Sequence, residues 1–212
     1  HTKVSVNAFN DKRPQINNAG AVVWEGKNEP GNTEVFYRPV GSEIPVQITS
    51  NSFKDERPQI NDSGDITWMG FDGNDWEIFK YSNGETVQIT TNTIDDQYPK
   101  INAAGDIAWI AGQPDDKGEV ADYNVFLYSA GTITQITDDQ AFNVQVRINA
   151  SADLMWRTMS ATASDIYTRT NGTITKITDN EFVKSFPQMT DSGHLVWEMN
   201  DGTDDEIFVK LY

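Results

Sequence analysis

One stretch recurs five times along the chain and restricts what it can fold into. Its columns run from Pro14 to Trp24, Pro58 to Trp68, Pro99 to Trp109, Val146 to Trp156 and Pro187 to Trp197, ten residues in every copy. Successive copies are offset by 41 to 47 residues, and self-similarity at that period marks a propeller or a solenoid.

Each repeat divides into four short strands. The first is Gln15-Ile16-Asn17 and its equivalents, introduced by a proline, which lacks an amide donor and belongs at a strand start or edge. A turn follows, with Gly20, Gly64, Gly105 and Gly193 at the place that needs a left-handed residue; in the fourth copy Ala152 stands there, so that turn is expected to be strained or altered. The second strand ends in the tryptophan. The third holds Val35-Phe36-Tyr37, Ile78-Phe79, Val125-Phe126, Ile166-Tyr167 and Ile207-Phe208. Turns such as Asn83-Gly84 and Asn171-Gly172 lead to the fourth, Gln47-Ile48-Thr49 and its equivalents.

The fifth repeat lacks a fourth strand, while Lys3-Val4-Ser5-Val6-Asn7 aligns with Gln47-Ile48-Thr49-Ser50-Asn51 when Asp11 is set on Asp55. A linear solenoid would instead want distinct polar caps. The expected fold is therefore an all-β, five-bladed β-propeller with four antiparallel strands per blade, in which the N-terminal strand closes the last blade. The blades fall at approximately 8–49, 50–90, 91–137, 138–178 and 179–212 plus 1–7, one domain of 212 residues. The five tryptophans are expected to pack blade against blade, each burial contributing about 3 kcal/mol.

Composition limits partners. A net charge of −16 repels phosphate backbones and anionic headgroups, so nucleic acid is not expected as a partner. No apolar run approaches the roughly 20 residues of a membrane helix, so membrane insertion is not expected either. With no cysteine there is neither disulfide nor thiol chemistry. The chain begins at His1 rather than Met, as a processed product would, and the expected location is secreted or periplasmic.

The pattern Asp-x-x-Pro-x-Ile-Asn-x-x-Gly-x-Ile-x-Trp, then Ile-Phe-x-Tyr, then Gln-Ile-Thr, resembles the TolB-type, WD40-like repeat of bacterial β-propellers, over essentially the whole chain. The resemblance implies the fold and is silent on the ligand. TolB-like proteins carry six blades and an additional N-terminal domain, which these five repeats depart from.

Longer loops over a rigid scaffold are where binding usually resides. From the tryptophan to the polar start of the third strand the count is 10, 9, 15, 9 and 9 residues, the exception being the insertion from Ala111 to Tyr123. The column before the proline position, Arg13, Arg57, Tyr98, Gln145 and Phe186, breaks the repeat and offers planar donors and aromatic faces suited to a glycan or a protein partner. These five are the candidate ligand-binding residues; the bland alternative is packing against neighbouring loops.

A second column, Asp11, Asp55 and Asp96, followed by Asn143 and Lys184, suits either a glycosidase or aspartates capping their own turns. No nucleophile–base pair announces itself, so no catalytic residue is assigned. Two oxygen-rich turns, Asp72 to Glu77 and Asp201 to Glu206, have the composition of a calcium site without the spacing of an EF-hand, and no metal ligand is assigned from them. The expectation is a non-catalytic module presenting its loop face to a glycan, peptide or partner domain. The alternatives are a glycoside-active enzyme and a structural subunit of a larger extracellular assembly.

Overall fold

The computed structural model describes all residues except 1, 2, 6, 8, 28–30 and 115–119, and the backbone alone at 113, 114, 120 and 121. The described residues contain strands and turns and no helix. They form two compact units, 1–105 and 106–212.

In the first unit β1 (Lys12–Ile16), β2 (Val22–Gly26), β3 (Glu34–Arg38) and β4 (Val46–Gln47) form an antiparallel sheet in that order. A second sheet repeats it with β5 (Asp55–Ile60), β6 (Ile66–Phe71), β7 (Trp76–Ser82) and β8 (Glu85–Gln88), and β9 (Asp95–Ile101) ends the unit. In the second unit β10 (Ile107–Pro114) pairs with β11 (Val120–Ser129), which also pairs with β12 (Thr132–Gln135). The order β13 (Phe142–Ile148), β14 (Leu154–Met159), β15 (Ser164–Thr170), β16 (Thr173–Lys176) comes next, and β17 (Lys184–Met189), β18 (Leu195–Asn200) and β19 (Asp205–Lys210) form a three-stranded sheet. The insertion after Trp109 extends β10 and β11 into a longer hairpin, whose residues 115–119 lie outside the described ones.

Register explains the repeated aromatics. Each tryptophan lies directly across from an aromatic of the next strand: Trp24 from Phe36, Trp68 from Phe79, Trp109 from Phe126, Trp156 from Tyr167 and Trp197 from Phe208. The rings stack with centroids 5.7–6.2 Å apart and planes within 16°. All five indoles are buried, at 0–8% exposure. The other face of the indole meets the preceding repeat: Trp68 packs with Val23 and Val35, Trp156 with Ala108 and Val125, and Trp197 with Met155 and Ile166. As expected, these residues are core.

The Asn and Thr of the repeat finish the backbone bonding. Asn17 and Asn61 each donate a side-chain amide to the carbonyl of the next turn, at Asn61 and Asn102, both at 3.0 Å. The closing Thr of Gln-Ile-Thr accepts the amide of the third strand, in Thr49–Val35, Thr90–Ile78, Thr137–Val125 and Thr178–Ile166. Such bonds matter because a buried amide without a partner costs about as much as a lost hydrogen bond.

Two expectations need correction. The first strands begin at the Asp column, before the proline; four of them, β1, β5, β13 and β17, carry a register shift just ahead of the proline position. The bulge takes the missing proline amide off the ladder, so proline sits inside the strand. The turn at Ala152 is strained, one of the two outcomes expected, and keeps the shape of the other copies. Ala152 holds φ 60° and donates to Asn149 O at 3.1 Å, as Gly20 donates to Asn17 O at 3.0 Å.

The expected closing strand is not formed. Lys3, Val4 and Ser5 carry no strand, Val6 lies outside the described residues, and the last sheet is open at β19. Ile207 is 68% exposed, whereas its equivalents Val35, Ile78, Val125 and Ile166, covered by a fourth strand, are fully buried. Yet the N-terminal segment keeps the connector geometry of its repeat. Asn7 bonds Asp11 and caps Phe9 N, as Asn51 bonds Asp55 and caps Phe53 N. Val4 and Ser5 line a cavity of about 110 Å³ beside Trp24.

A left-handed alanine costs about 1–2 kcal/mol, partly offset by its lower unfolded-state entropy. Ala152→Gly should therefore stabilise the protein by about 0.5–1 kcal/mol in urea unfolding, and a loss of stability would contradict the turn assignment.

Candidate functional site

The five residues ahead of the proline position share a backbone state no sequence pattern announced. Arg13, Arg57, Tyr98, Gln145 and Phe186 have φ of 49°, 60°, 58°, 57° and 49°. Non-glycine residues in this region are uncommon, and a bulge re-aims the side chain it carries. Tyr98 and Phe186 are 40% and 60% exposed.

In the first unit three of the five form one array. Glu25, buried next to Trp24, accepts the Arg13 guanidinium through one oxygen and the backbone amide of Arg57 through the other, each at 2.5 Å. The Arg57 guanidinium lies over the Tyr98 ring, 4.7 Å from its centroid, a contact worth about 0.5–1 kcal/mol at an exposed site. Arg13 also comes within 4.0 Å of Glu56. Beside this array Lys12, Arg13, Glu25, Lys27, Thr33 and Glu56 line a groove of about 620 Å³. In the second unit Gln145 and Phe186 occupy the same left-handed position, and Oε1 of Gln145 is buried without a hydrogen-bond partner. Glu25 was not among the expected residues. Its signal was a charge immediately after the core tryptophan, where Met69 and Ile110 stand in the next two copies and Arg157 and Glu198 in the last two.

The aspartate column is structural. Asp11 accepts the Trp24 indole at 3.2 Å and Asp55 the Trp68 indole at 2.7 Å, and each also holds an Asn side chain of the preceding connector. Asp96 holds Asn92 in the same way. Asp55 and Asp96 are 3% and 1% exposed. The turn amide is capped by the Asn, and the Asp fixes the Asn and the indole, which differs from an Asp capping its own turn. Burial raises the Asp55 pKa, opposed by the hydrogen bonds of Asn51, Trp68 and Thr49.

Where Lys184 replaces the aspartate, the indole N–H of Trp197 is buried and unpartnered. The Lys184 side chain has no exposed surface; its ammonium donates to Asn180 O at 2.7 Å and Phe182 O at 2.8 Å and faces Asp165 at 3.4 Å. Asp165 also receives Lys176 at 2.7 Å and the Thr178 hydroxyl at 2.9 Å. Burial would raise the Asp165 pKa, but these two donors and the Lys184 charge hold it below its ordinary value.

The two oxygen-rich turns differ. Asp72, Asp75 and Glu77 bring carboxylate oxygens within 4.8 Å of one another, a grouping met once among the described residues. Burial pushes Glu77 up to about 8; the nearby Thr90 hydroxyl opposes this, and the Asp96 and Asp75 charges add to it. Burial, then Asp72 and Asp95, raises Asp75. The Asp201 turn is an exposed Asx turn, with Thr203 N on Asp201 and Gly202 N on Asn200.

No family model matches the chain, and no curated protein does. Solved structures similar to it include TolB from Acinetobacter baumannii, with TM-score 0.62 and 13% identity over 95% of this chain and 51% of that one. The β-propeller domain of the Trilobed protease from Pyrococcus furiosus gives 0.66 and 13% over 94% and 64%. An acylaminoacyl peptidase from Pyrococcus horikoshii gives 0.63 and 13% over 95% and 38%. The chain thus spans about half the length of the TolB structure. At these identities the likeness is one of fold: an all-β chain built like TolB and other propeller proteins.

Asp165→Asn would leave the Lys184 ammonium buried without its counter-ion, at a cost of about 3 kcal/mol near neutral pH. Two pH trends separate the proteins. In the parent the stability from the depressed Asp165 pKa is present above the unfolded value of 3.8 and is lost as pH falls through the lower folded value. In the variant the folded state favours neutral Lys184, so its deficit should shrink as pH rises toward about 10. Urea midpoints across pH, with an equal deficit at every pH, would refute the pairing.

Proposed function

We propose that the protein is a non-catalytic binding module of the secreted or periplasmic space, presenting the bulge column and its groove to a glycan, a peptide or a partner domain. The observation that carries this reading is the Arg13–Glu25–Arg57–Tyr98 array. One buried carboxylate orients an exposed guanidinium and the backbone of a second arginine, which in turn lies over an aromatic ring. Planar donors beside an aromatic face suit a sugar ring or a peptide amide. The TolB-type repeat resemblance favours the extracytoplasmic setting. The groove sets Lys12, Arg13 and Lys27 against Glu25 and Glu56, a slight positive excess on a chain of net charge −16, which favours a ligand with carboxylate or hydroxyl groups.

A glycoside-active reading draws less support. Asp55 and Asp96 are buried, and Asp11 and Asp55 are bonded to core indoles, whereas a general acid must reach the substrate.

Screening of glycan and peptide arrays should give ligands whose affinity falls about tenfold or more in Tyr98→Ala and Arg57→Ala, with melting temperatures close to the parent. Ligands bound equally by both variants would refute the site.

The architecture we propose is a closed five-bladed ring in which the N-terminal segment lies beside β19, covering Ile207 and Val209. What supports it is the connector geometry kept by Asn7 and Asp11, and the exposure of Ile207. Propeller folds do not all close this way, the Pyrococcus furiosus domain having an open velcro topology. Ile48 donates to Val35 O, so Val4 should meet Ile207. Since the chain has no cysteine, Val4→Cys with Ile207→Cys should form one intramolecular disulfide on oxidation. Intermolecular disulfides, or two free thiols, would refute closure.

A further inference from the structure

The loop between β6 and β7, Asp72-Gly73-Asn74-Asp75-Trp76-Glu77, is held in a fixed shape. Oδ1 of Asp72 accepts the amides of Asn74 and Asp75 at 2.8 and 3.3 Å, and Asp72 N donates back to Asp75 O at 3.1 Å. Trp76 N is tied to Asp95 Oδ1 at 3.0 Å. This turn directs Asp75 toward Glu77 at the start of β7, and the three carboxylates converge within 4.8 Å.

A cluster of acids alone would mean little. Here Glu77 has no exposed surface and has only the nearby Thr90 hydroxyl and Asp96 beside it, while Oδ2 of Asp75 is buried and unpartnered. Three equivalent positions in the other repeats are satisfied. Glu34 accepts the Thr49 hydroxyl at 2.7 Å, Asn124 the Thr137 hydroxyl at 2.9 Å, and Asp165 a hydroxyl and two lysines. None of the ion pairs among the described residues reaches Asp72, Asp75 or Glu77. The facing groups, Asp95, Asp96 and Thr90, bring no positive charge. The fold thus gathers three carboxylates at one point with no positive charge facing them, and one of the inner oxygens, Oδ2 of Asp75, has no protein donor.

We propose that this turn is a calcium site, with Asp72, Asp75 and Glu77 supplying carboxylate oxygens and water completing the shell on the exposed Asp72 side. The ligand atoms are all oxygen, which selects a hard cation. Two oxygens on opposite sides of calcium stand about 4.6–5.2 Å apart, whereas around magnesium they stand about 4.0–4.2 Å apart. The upper bound of 4.8 Å on the carboxylate separations leaves room for the larger ion. The matching turn at Asp201 lacks the buried acid, since Glu206 is exposed there, and it binds no calcium on this reading.

The test uses the full chain freed of divalent ions by chelation. Terbium should bind at one site with emission sensitised through Trp76, calcium should displace it, and calcium should raise the thermal midpoint, with affinity in the range of extracellular calcium modules, about 10⁻⁴–10⁻³ M. Asp72→Asn keeps the oxygen that caps the turn amides and should fold normally while weakening calcium at least tenfold. Glu77→Gln should weaken it further, and Asp201→Asn should leave it unchanged. Absence of binding at about 10 mM calcium, tenfold above that range, would overturn the proposal. So would binding retained by both Asp72→Asn and Glu77→Gln, or lost in Asp201→Asn.

Discussion

The bond from a buried carboxylate to a core indole fixes most of the geometry of a repeat. Asp55 takes the Trp68 N–H with one oxygen and the Asn51 amide with the other, and Asn51 in turn caps Phe53 N. One side chain thereby ties a connector, a first strand and the end of a second strand. With the indole nitrogen anchored, its two faces are free to stack on Phe79 and on the preceding repeat. Burial of an aromatic is non-directional in energy, but a hydrogen bond is not. The bond therefore converts a greasy contact into a single orientation.

Glycine positions show how tightly this arrangement is drawn. A Cβ at Gly70 would stand 2.6 Å from Asp55 Oδ1 and 2.8 Å from the Phe79 ring, and one at Gly26 would collide with Asp11 Oδ1. In these two repeats the backbone two residues beyond the tryptophan passes between the carboxylate and the stacked ring with no room for a side chain, whereas the third repeat carries a methyl there, at Ala111. Leu, Ile or Val at that column would displace the acid, so this glycine is set by packing, not by a turn.

Much of this was legible in the sequence. The Trp and Gly columns disclosed the repeat, the hairpins and the core, because period-2 alternation and left-handed glycines act locally. The purpose of the aspartate was not legible. Its partner lies thirteen residues away across a strand pair, and an Asp ahead of a strand looks like a turn cap. The bulge was hidden too: a proline suggested a strand start, whereas the left-handed Arg57 or Tyr98 before it lets the strand run through. Glu25 illustrates a third limit. Charges stand at the same column in Arg157 and Glu198, so the column alone does not single out Glu25, and its role depends on two arginines brought together by different strands.

Repetition also sets a polar constraint that each copy meets separately. The polar residue that opens the third strand is buried at Glu34, Glu77 and Asn124 and half-buried at Asp165, and only at Glu206 is it exposed. A carboxylate out of water is costly unless something donates to it. Glu34 uses a hydroxyl, Asn124 removes the charge while keeping the Thr137 bond, and Asp165 is matched by exchanging the neighbouring aspartate for Lys184. That last exchange strips the acceptor from Trp197, which shows that the two columns compete for one polar volume. Glu77 has the nearby Thr90 hydroxyl but no cation beside it, and burial still pushes it up to about 8. It faces Asp96, which keeps the aspartate of the repeat and holds Asn92, so no protein cation can enter without disrupting the connector. The remaining solutions are a proton or a metal ion, and only the metal also engages Asp72 and Asp75, which the shape of the loop places on the same point.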